Sequence, residues 1–459
     1  MGGGEKMSRV LKLTANELQS REKRQELTVC VAGCGRKALV TACLFAEAGF
    51  KVVAVDSNSH TIHQLQRKKS PFTETDLRKF IEPRLKDSQF RATTNLRKAV
   101  SESDVVIIGV KATLDKKKKP DYSRLEKICR EVGMSLNEYS LVMLQNSMGP
   151  GMTETVAKEI LETASGLKVG NTFGLAYFST LNNLSNLSKN ISSCKKVVGG
   201  ITKRSLKVAC LLLETITKGE IVRVRDIKTA EAVKLLEEAY KDVNIAFANE
   251  FAQFCEKAGL DFAKVRNIIS PLKFSKISGL HISRDSYFLV EEAEAVDVRL
   301  RMLSLSTKIN DEALDHAIHL IRDSLRSNQK TFRRTKIAVL GVSSLPDRKL
   351  VSNSATKRLV KLLKKRGVSV KVYDPFFSHK ELVNMGYDAE TSLSKTVEGM
   401  DCLVIVVAHD RFTRLNLRRL HMLMKQPAAM VDMGQVVDPD KARKAGFIYY
   451  GFGRGVGPE

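Results

Sequence analysis

Strand-length apolar runs, each followed by sequence of helical periodicity, occur at both ends of this 459-residue chain but not in its middle. The first series is TVCVA at 28, KVVAV at 51, DVVIIGV at 104 and SLVMLQ at 140, continued by KKVVGG at 195 through EIVRV at 220. Strands buried on both faces read as unbroken apolar runs, and parallel neighbours need crossover helices, so the pattern predicts a mostly parallel sheet wrapped by helices. The alternation restarts at Lys336 with KIAVLGV, then an amphipathic stretch around 355–366, VSVKVYDP, DCLVIVVAHD, AAMVDMG and FIYYGFG. Between the two series, Lys228 to Gly259 contains no breaker. Its apolar residues (Ala232, Leu235, Leu236, Ala239, Val243, Ala246, Phe247, Phe251) recur at three and four, which predicts one long helix ended by Gly259. Helical sequence continues to about residue 330, interrupted by SPLKFSKISGLHISRDS at 270. The expected architecture is α/β, with two Rossmann-like doubly wound domains joined by a central helical region. Its parts are a polar extension at 1–26, loose or helical, an N-terminal domain at 27–226, a helical region at 227–330 and a C-terminal domain at 331–459.

With 43% hydrophobic and 28% charged residues the chain has a globular rather than a disordered composition. No apolar run approaches the roughly 18 residues needed to span a bilayer, and the N-terminus lacks a hydrophobic signal core, so a cytoplasmic protein with no membrane partner is expected. The eight cysteines show neither metal-ligand pairing nor tight disulfide spacing, which predicts reduced, buried thiols and no metal. Lys plus Arg (76) exceed Asp plus Glu (51) by 25, which favours phosphorylated, nucleotide-like or nucleic-acid partners. Aromatic residues are only 6%, and no nucleic-acid module is visible, so nucleic acid is the least favoured of these.

The first strand runs into GCGRKA, Gly33 to Ala38, then a helical segment, then KVVAVD ending at Asp56. Glycine at 33 and 35 lets a chain turn tightly and bring backbone N–H groups against a pyrophosphate at a helix N-terminus. Asp56, 21 positions after Gly35, stands where an acidic residue accepts from the adenosine ribose. The alternative is a tight turn that binds nothing. An acidic residue at 56 favours NAD over NADP, tempered by Lys51 and His60 nearby. Arg36 and Lys37 either meet phosphate directly or face solvent from a first helical turn.

Further motifs follow in order: VKATLDKKKKPD at 110, NSMGPGMTE at 146, KKVVGG at 195, KTAEAVKLLEEAYKDVNIAFANEFAQFCEKAGLD at 228, GLHISRDSYFL at 279, and a terminal domain from KIAVLGV to YYGFGRG. Together they resemble the UDP-glucose/GDP-mannose dehydrogenase family, the NAD-dependent nucleotide-sugar 6-dehydrogenases, over about residues 28–454. The resemblance implies a first domain for NAD, a last domain for a UDP- or GDP-linked sugar, and a homodimer formed through the middle helices. It implies oxidation of a sugar primary alcohol to a carboxylate with two NAD, by way of a thioester on a cysteine. Lys234 then matches the active-site lysine that stabilises charge on the substrate oxygen, and Asp285 the aspartate that orients water or that lysine. Ser147 stands for the threonine of the NSMGPG turn.

Departures accompany these matches. The family's Gly-Gly-x-Cys stands here as Ser278, Gly279, Leu280 and His281, so an imidazole takes the nucleophile's place and forms no thioester. The family glutamate aligns with Thr180, and its neighbours with Leu181 and Asn182. Glu238 replaces an asparagine and can pair with Lys234 at the i, i+4 spacing. Leu345 and roughly Ser352 replace a phosphate-gripping Lys and Arg, and Ala112 replaces a threonine. Two readings follow. One is an oxidoreductase with altered chemistry, a two-electron oxidation in which His281 is the base and Lys234 polarises the oxygen, or in which His281 merely fills a vacated pocket. The other is a catalytically inactive NAD or nucleotide-sugar binding protein acting as a sensor or partner subunit.

Overall fold

The computed structural model describes residues 10–115, 117–181, 193–268, 285–351 and 354–454. Its internal contacts divide the chain into Met1–Ala239 with Arg284–Arg299, and Tyr240–Ser283 with Leu300–Glu459.

The first unit is built on β1 (Thr28–Ala32), β2 (Lys51–Val55), β3 (Phe90–Thr93), β4 (Val105–Ile108), β7 (Leu141–Leu144), β8 (Gly174–Thr180), β9 (Lys196–Gly200) and β10 (Ile221–Arg223), with a small hairpin of β5 (Thr113–Leu114) and β6 (Pro120–Asp121). The sheet order is β10-β9-β8-β7-β4-β1-β2-β3, parallel throughout except between β8 and β9. The two-residue period of the strands sorts their side chains into two cores. Val29, Val31, Val52, Ala54, Val105 and Ile107 enter one, while Cys30, Ala32, Val53, Val55, Val106 and Ile108 enter the other. Each fully buried Val or Ile contributes about 1.5–3 kcal/mol, which is why these runs carry no polar alternation. Strand order reverses between β1 and β4, and in such sheets ligands bind at the carboxyl ends beside that switch point.

Of the two alternatives for the N-terminal extension, the described part is helical, and it is packed. Short helical turns at Val10–Lys12, Ala15–Leu18 and Arg21–Arg24 put Val10, Leu11, Leu13 and Leu18 into the first core.

Helix α1 (Arg36–Glu47) covers one face of this sheet. Helix α2 (Ile227–Lys257) is the long unbroken helix expected from the apolar spacing, and Gly259 after it takes φ 71°, a conformation that glycine adopts without strain. Three further helices follow, α3 (Phe262–Ile268), α4 (Asp285–Glu294) and α5 (Arg301–Ser327). Most of the interruption expected at 270 lies outside the described residues.

The second unit holds an all-parallel sheet in the order β12-β11-β13-β14-β15, from β11 (Lys336–Leu340), β12 (Ser369–Tyr373), β13 (Cys402–Ile405), β14 (Ala429–Asp432) and β15 (Ile448–Gly451). It too has a core on each face, with Ile337, Val339 and Val404 on one and Ala338, Leu340 and Leu403 on the other. No helix among the described residues is long and apolar enough to cross a membrane.

Candidate active site

Beyond β1 the backbone turns through Gly33, Cys34 and Gly35 into α1. Gly33 has φ 99°, and a Cβ there would lie 2.9 Å from Val110 Cγ2, so only glycine fits. Gly35 is different: its φ is −62°, a Cβ would meet nothing within 4 Å, and no side chain caps the first turn of α1. The helix N-terminus therefore presents uncapped N–H groups on an open face, the arrangement that accepts a phosphate. Asp56, just past β2, accepts from the Cys34 N–H at 2.7 Å through Oδ2 and from the Asn58 N–H at 2.9 Å through Oδ1. Each oxygen keeps a lone pair, so the carboxylate retains capacity for a ribose hydroxyl. The open helix end and this carboxylate fit a dinucleotide.

The two basic residues of the turn differ. Arg36 Nε donates to Glu74 Oε1 at 2.6 Å, and its guanidinium lies 5.4 Å from the centre of the Phe72 ring. Arg36 thus ties α1 to the 72–74 segment. Lys37 is solvent-accessible along its side chain and has no ion-pair partner within 4 Å among the described residues.

Backbone packing brings further charge to Lys37. A Cβ on Gly109 would sit 2.4 Å from Ala38 Cβ, so the exit of β4 runs against the first turn of α1. Three residues on, Ala112 packs with Leu235 of α2 and Phe288 of α4 in a small apolar cluster. Their sequence neighbours Lys111 and Lys234, and Asp285 one turn before Phe288, are drawn together by this packing. Lys111 Nζ lies 3.8 Å from Asp285 Oδ1, while Lys234 Nζ contacts Glu237 Oε2 at 2.8 Å and Glu238 Oε1 at 2.6 Å. Burial pushes the Lys234 ammonium down, but Glu238 and Glu237 outweigh it and hold its pKa above the usual lysine value. For Lys37, surrounding protein is the largest influence and lowers the pKa to about 8; Lys234 and Lys111 act the same way, Asp285 and Glu238 against. The result is two amines among one set of charges, Lys234 held as a cation by its carboxylates and Lys37 shifted downward.

The NSMGPG segment forms the neighbouring wall. Ser147 lies half-buried just beyond β7, and the Gly149 N–H donates to Tyr122 Oη at 2.9 Å. Glu231, fully buried on α2, accepts from the Gly151 N–H, from the Thr153 N–H at 3.0 Å and from Thr153 Oγ1 at 2.6 Å. Burial raises its pKa to about 7 despite these donors.

In the second unit, Asp374 past β12 repeats the position of Asp56 with another outcome. It accepts from the Val342 N–H at 2.7 Å, the Ser343 N–H at 3.1 Å and His409 Nε2–H at 3.2 Å, while the Asp347 N–H donates to His409 Nδ1 at 2.9 Å and so sets that tautomer. Both Asp374 and His409 are fully buried. Burial pushes the Asp374 carboxyl up, but His409 and the backbone donors hold it below the usual range. This carboxylate is saturated, unlike Asp56. Leu345 is half-buried, Lys349 is paired with Glu381 at 2.6 Å, and Ser352 lies outside the described residues.

Lys37, Lys234 and Asp285 thus share one cluster, with Gly33, Gly35 and Asp56 at its edge and Ser147 on the next segment. His281 and Asn182 lie outside the described residues. Thr180 is buried at the end of β8. All eight cysteines are buried and none forms a disulfide, and burial raises the Cys34 thiol far above its ordinary range, so the glycine turn holds no thiolate. Sequence reading missed Lys111, Glu231 and Glu237. Glu237 was accessible from its i+3 spacing to Lys234, whereas Lys111 and Glu231 join through tertiary packing alone. Among the described residues no group of three or more His, Cys, Asp or Glu could hold a metal.

Comparison with known proteins agrees with this geometry. The NAD binding domain of the UDP-glucose/GDP-mannose dehydrogenase family matches residues 27–217, its central domain residues 228–312, and its UDP binding domain residues 338–439. A UDP-N-acetyl-D-mannosamine dehydrogenase of Pyrococcus horikoshii is 27% identical over 436 residues, covering 94% of this chain and 100% of its own length. A solved structure of UDP-D-ManNAc dehydrogenase from Pyrococcus horikoshii superposes with a TM-score of 0.82 at 25% identity, covering 94% of this chain and 100% of that one. An NDP-N-acetyl-D-galactosaminuronic acid dehydrogenase from Methanosarcina mazei gives 0.75 at 28% identity, covering 96% and 98%. With all three family domains present in order along one chain, this protein belongs to the UDP-glucose/GDP-mannose dehydrogenase family, and its first sheet carries that family's NAD-binding domain.

Proposed function

We propose that this protein is an NAD-dependent oxidoreductase that takes a CH–OH group of a UDP- or GDP-linked sugar through a single two-electron oxidation. The observation that carries the reading is the charged cluster of Lys37, Lys111, Lys234, Glu238 and Asp285 beside an uncapped helix N-terminus and a carboxylate able to take a ribose. NAD, when bound, supplies the hydride acceptor. Gly33, Gly35 and Asp56 would hold it, with Arg36 fixing the first turn of α1 and Ser147 on the adjoining segment. Lys234 stabilises negative charge developing on the substrate oxygen, and Asp285 orients the groups around it. Carrying the sugar on to the acid requires a thiolate to capture the aldehyde, whereas position 281 is histidine and every cysteine is buried. The UDP binding domain match and the UDP-sugar relatives favour a UDP-linked substrate.

A second reading, a catalytically inactive sensor or partner subunit, draws support from the double carboxylate clamp on Lys234. Leu236, Tyr240, Phe247, Phe251 and Phe254 expose a row of apolar side chains along α2, which supports assembly as a homodimer through the central helices. Eight buried cysteines with no disulfide among them suit a reducing, cytoplasmic setting, and UDP-sugar oxidation suits polysaccharide biosynthesis. The test is to mix the protein with NAD and a panel of UDP- and GDP-sugars and to follow both heat of binding and absorbance of reduced cofactor. Reduction with at least one sugar is expected; binding without any reduction transfers the assignment to the second reading.

A further inference from the structure

The site described above draws on few of the 25 excess cations of this chain, and a concentrated group of the others lies in the second unit. Helix α6 (Ala355–Lys365) turns Leu359, Val360 and Leu363 inward, into the same core as Ile337 of β11 and Val370 of β12. Its outer face ends in Lys361, Lys364, Lys365 and, at the C-cap, Arg366, all exposed. The segment entering β11 adds Arg333, Arg334 and Lys336, exposed as well. Gly367 joins the two runs. At φ 81° it turns the chain out of α6, its carbonyl accepts from the Arg334 N–H at 3.3 Å, and a Cβ there would lie 3.6 Å from Arg333 Cγ. Lys336 then stands in register with Ser369 as β11 and β12 begin. Seven cations thus gather at the amino ends of these two strands.

Neutralisation within the fold does not account for them. None of the seven has an ion-pair partner within 4 Å among the described residues, while carboxylates at the rim are already taken: Asp401 by Lys330 at 3.0 Å, Asp311 by Arg358 at 3.4 Å and Glu390 by Lys371 at 2.5 Å. The negative end of the helix dipole favours Lys364 and Lys365, but Arg333, Arg334 and Lys336 belong to no helix. Like charges so placed repel one another, and an external polyanion relieves that repulsion. A second observation selects its kind. Among the described residues from 306 to 382 no large apolar side chain is exposed. A bilayer surface holds a helix through an inserted apolar face, a protein partner through an aromatic or aliphatic anchor, and a single nucleic-acid strand through aromatic stacking. This face offers none of the three. Lysine and arginine alone suit the closely spaced phosphates of a duplex, about one charge per 1.7 Å of axis. The scarcity of aromatic residues does not weigh against that mode, because phosphate contacts read no bases.

We propose that this end of the second sheet binds the phosphate backbone of duplex DNA without reading its sequence. From Lys361 to Arg366 the chain rises about 7.5 Å, the axial length of about four duplex phosphates, and the 333–336 segment extends the same contact. Ligands of parallel sheets enter at the carboxyl ends of the strands, so a duplex at the amino ends leaves the opposite end of this sheet open. The proposal is independent of the dehydrogenase reading, and the two fail separately.

Fluorescence anisotropy of a labelled duplex DNA of arbitrary sequence, titrated with the full-length protein over a series of salt concentrations, tests this. For wild type, log K against log salt should fall with a slope between about −4 and −6, whatever the sequence. A variant carrying Lys361→Gln, Lys364→Gln and Lys365→Gln should reduce that slope by about three and bind about tenfold or more weakly at low salt. The comparison variant carries Lys203→Gln, Arg204→Gln and Lys207→Gln, three exposed cations on the helix Lys203–Glu214 of the first unit. It loses the same net charge and should keep the wild-type slope to within about one. All six side chains are exposed, so both variants should hold Tm within a few degrees of wild type. No binding of the duplex by wild type at low salt overturns the proposal, as does an equal loss of affinity in the comparison variant, which would make net charge the sole cause. Tighter binding of a single strand or of phosphatidylserine vesicles than of the duplex, lost in the 361–365 variant, would give the surface to that partner instead and overturn it too.

Discussion

The two glycines of the first turn serve different purposes, and the difference is measurable. Gly33 is required by the backbone, since its φ is 99° and Val110 fills the space where a Cβ would go. Gly35 carries no such backbone requirement, since its φ is −62° and a Cβ would meet nothing within 4 Å. Gly33→Ala is therefore expected to cost on the order of 1–3 kcal/mol of stability. Gly35→Leu should leave Tm within a few degrees of wild type and abolish NAD binding by calorimetry. Unchanged NAD affinity in Gly35→Leu would remove the turn from the cofactor site. At this scale the sequence was informative where the partners are close along the chain. Glycine spacing and Asp56 indicate the turn, and the i, i+4 spacing of Lys234 and Glu238 predicts their contact, which the structure contains at 2.6 Å. It was silent on Lys37 and Lys234 sharing a cluster, because they are 197 residues apart and only packing among Ala38, Gly109, Ala112, Leu235 and Phe288 joins them.

At the scale of elements, α2 carries two separable burdens. Its first turns fasten the 149–153 segment through Glu231, whose pKa is raised to about 7. A carboxyl with a raised folded pKa holds its proton in the folded state after the unfolded chain has released it, so stability falls as pH rises from about 4.5 to 7, by roughly 3 kcal/mol in all. Glu231→Gln is neutral throughout that window. Its Tm relative to wild type should accordingly improve between pH 5 and pH 7.5; a difference that stays constant with pH would show that Glu231 carries no such penalty. Further along, Phe251 is 42% exposed and packs with Phe247 and Phe254 at ring separations of 5.2 and 5.9 Å. Phe251→Glu should fold normally and halve the mass measured by light scattering. A wild-type monomer at micromolar concentration would rule out the homodimer. The limits of α2 were legible because nothing from 228 to 258 breaks a helix and Gly259 ends it. The N-terminal turns were half legible: helix was one of two alternatives for residues 1–26, whereas the docking of Val10, Leu11, Leu13 and Leu18, with caps at Thr14 and Ser20, depends on a core that the sequence does not reveal. The antiparallel direction of β8 against β9 was equally hidden, since KKVVGG is as apolar as the parallel runs around it.

For the whole molecule, two sheets with a core on each face could be read from composition and period because parallel strands buried on both sides leave no other pattern. Function was less legible, since a fold is kept by many small contributions and a reaction depends on a few atoms. Here the family's domains match between residues 27 and 439, while position 281 carries an imidazole and Lys234 is held by Glu237 and Glu238. The function proposed above has one hydride transfer per sugar. The most direct test is the ratio of NAD reduced to nucleotide sugar consumed at completion, with the product trapped by a hydrazine. One reduced cofactor per sugar and a trapped carbonyl product are predicted; two per sugar, with a carboxylate product and nothing trapped, would contradict the account.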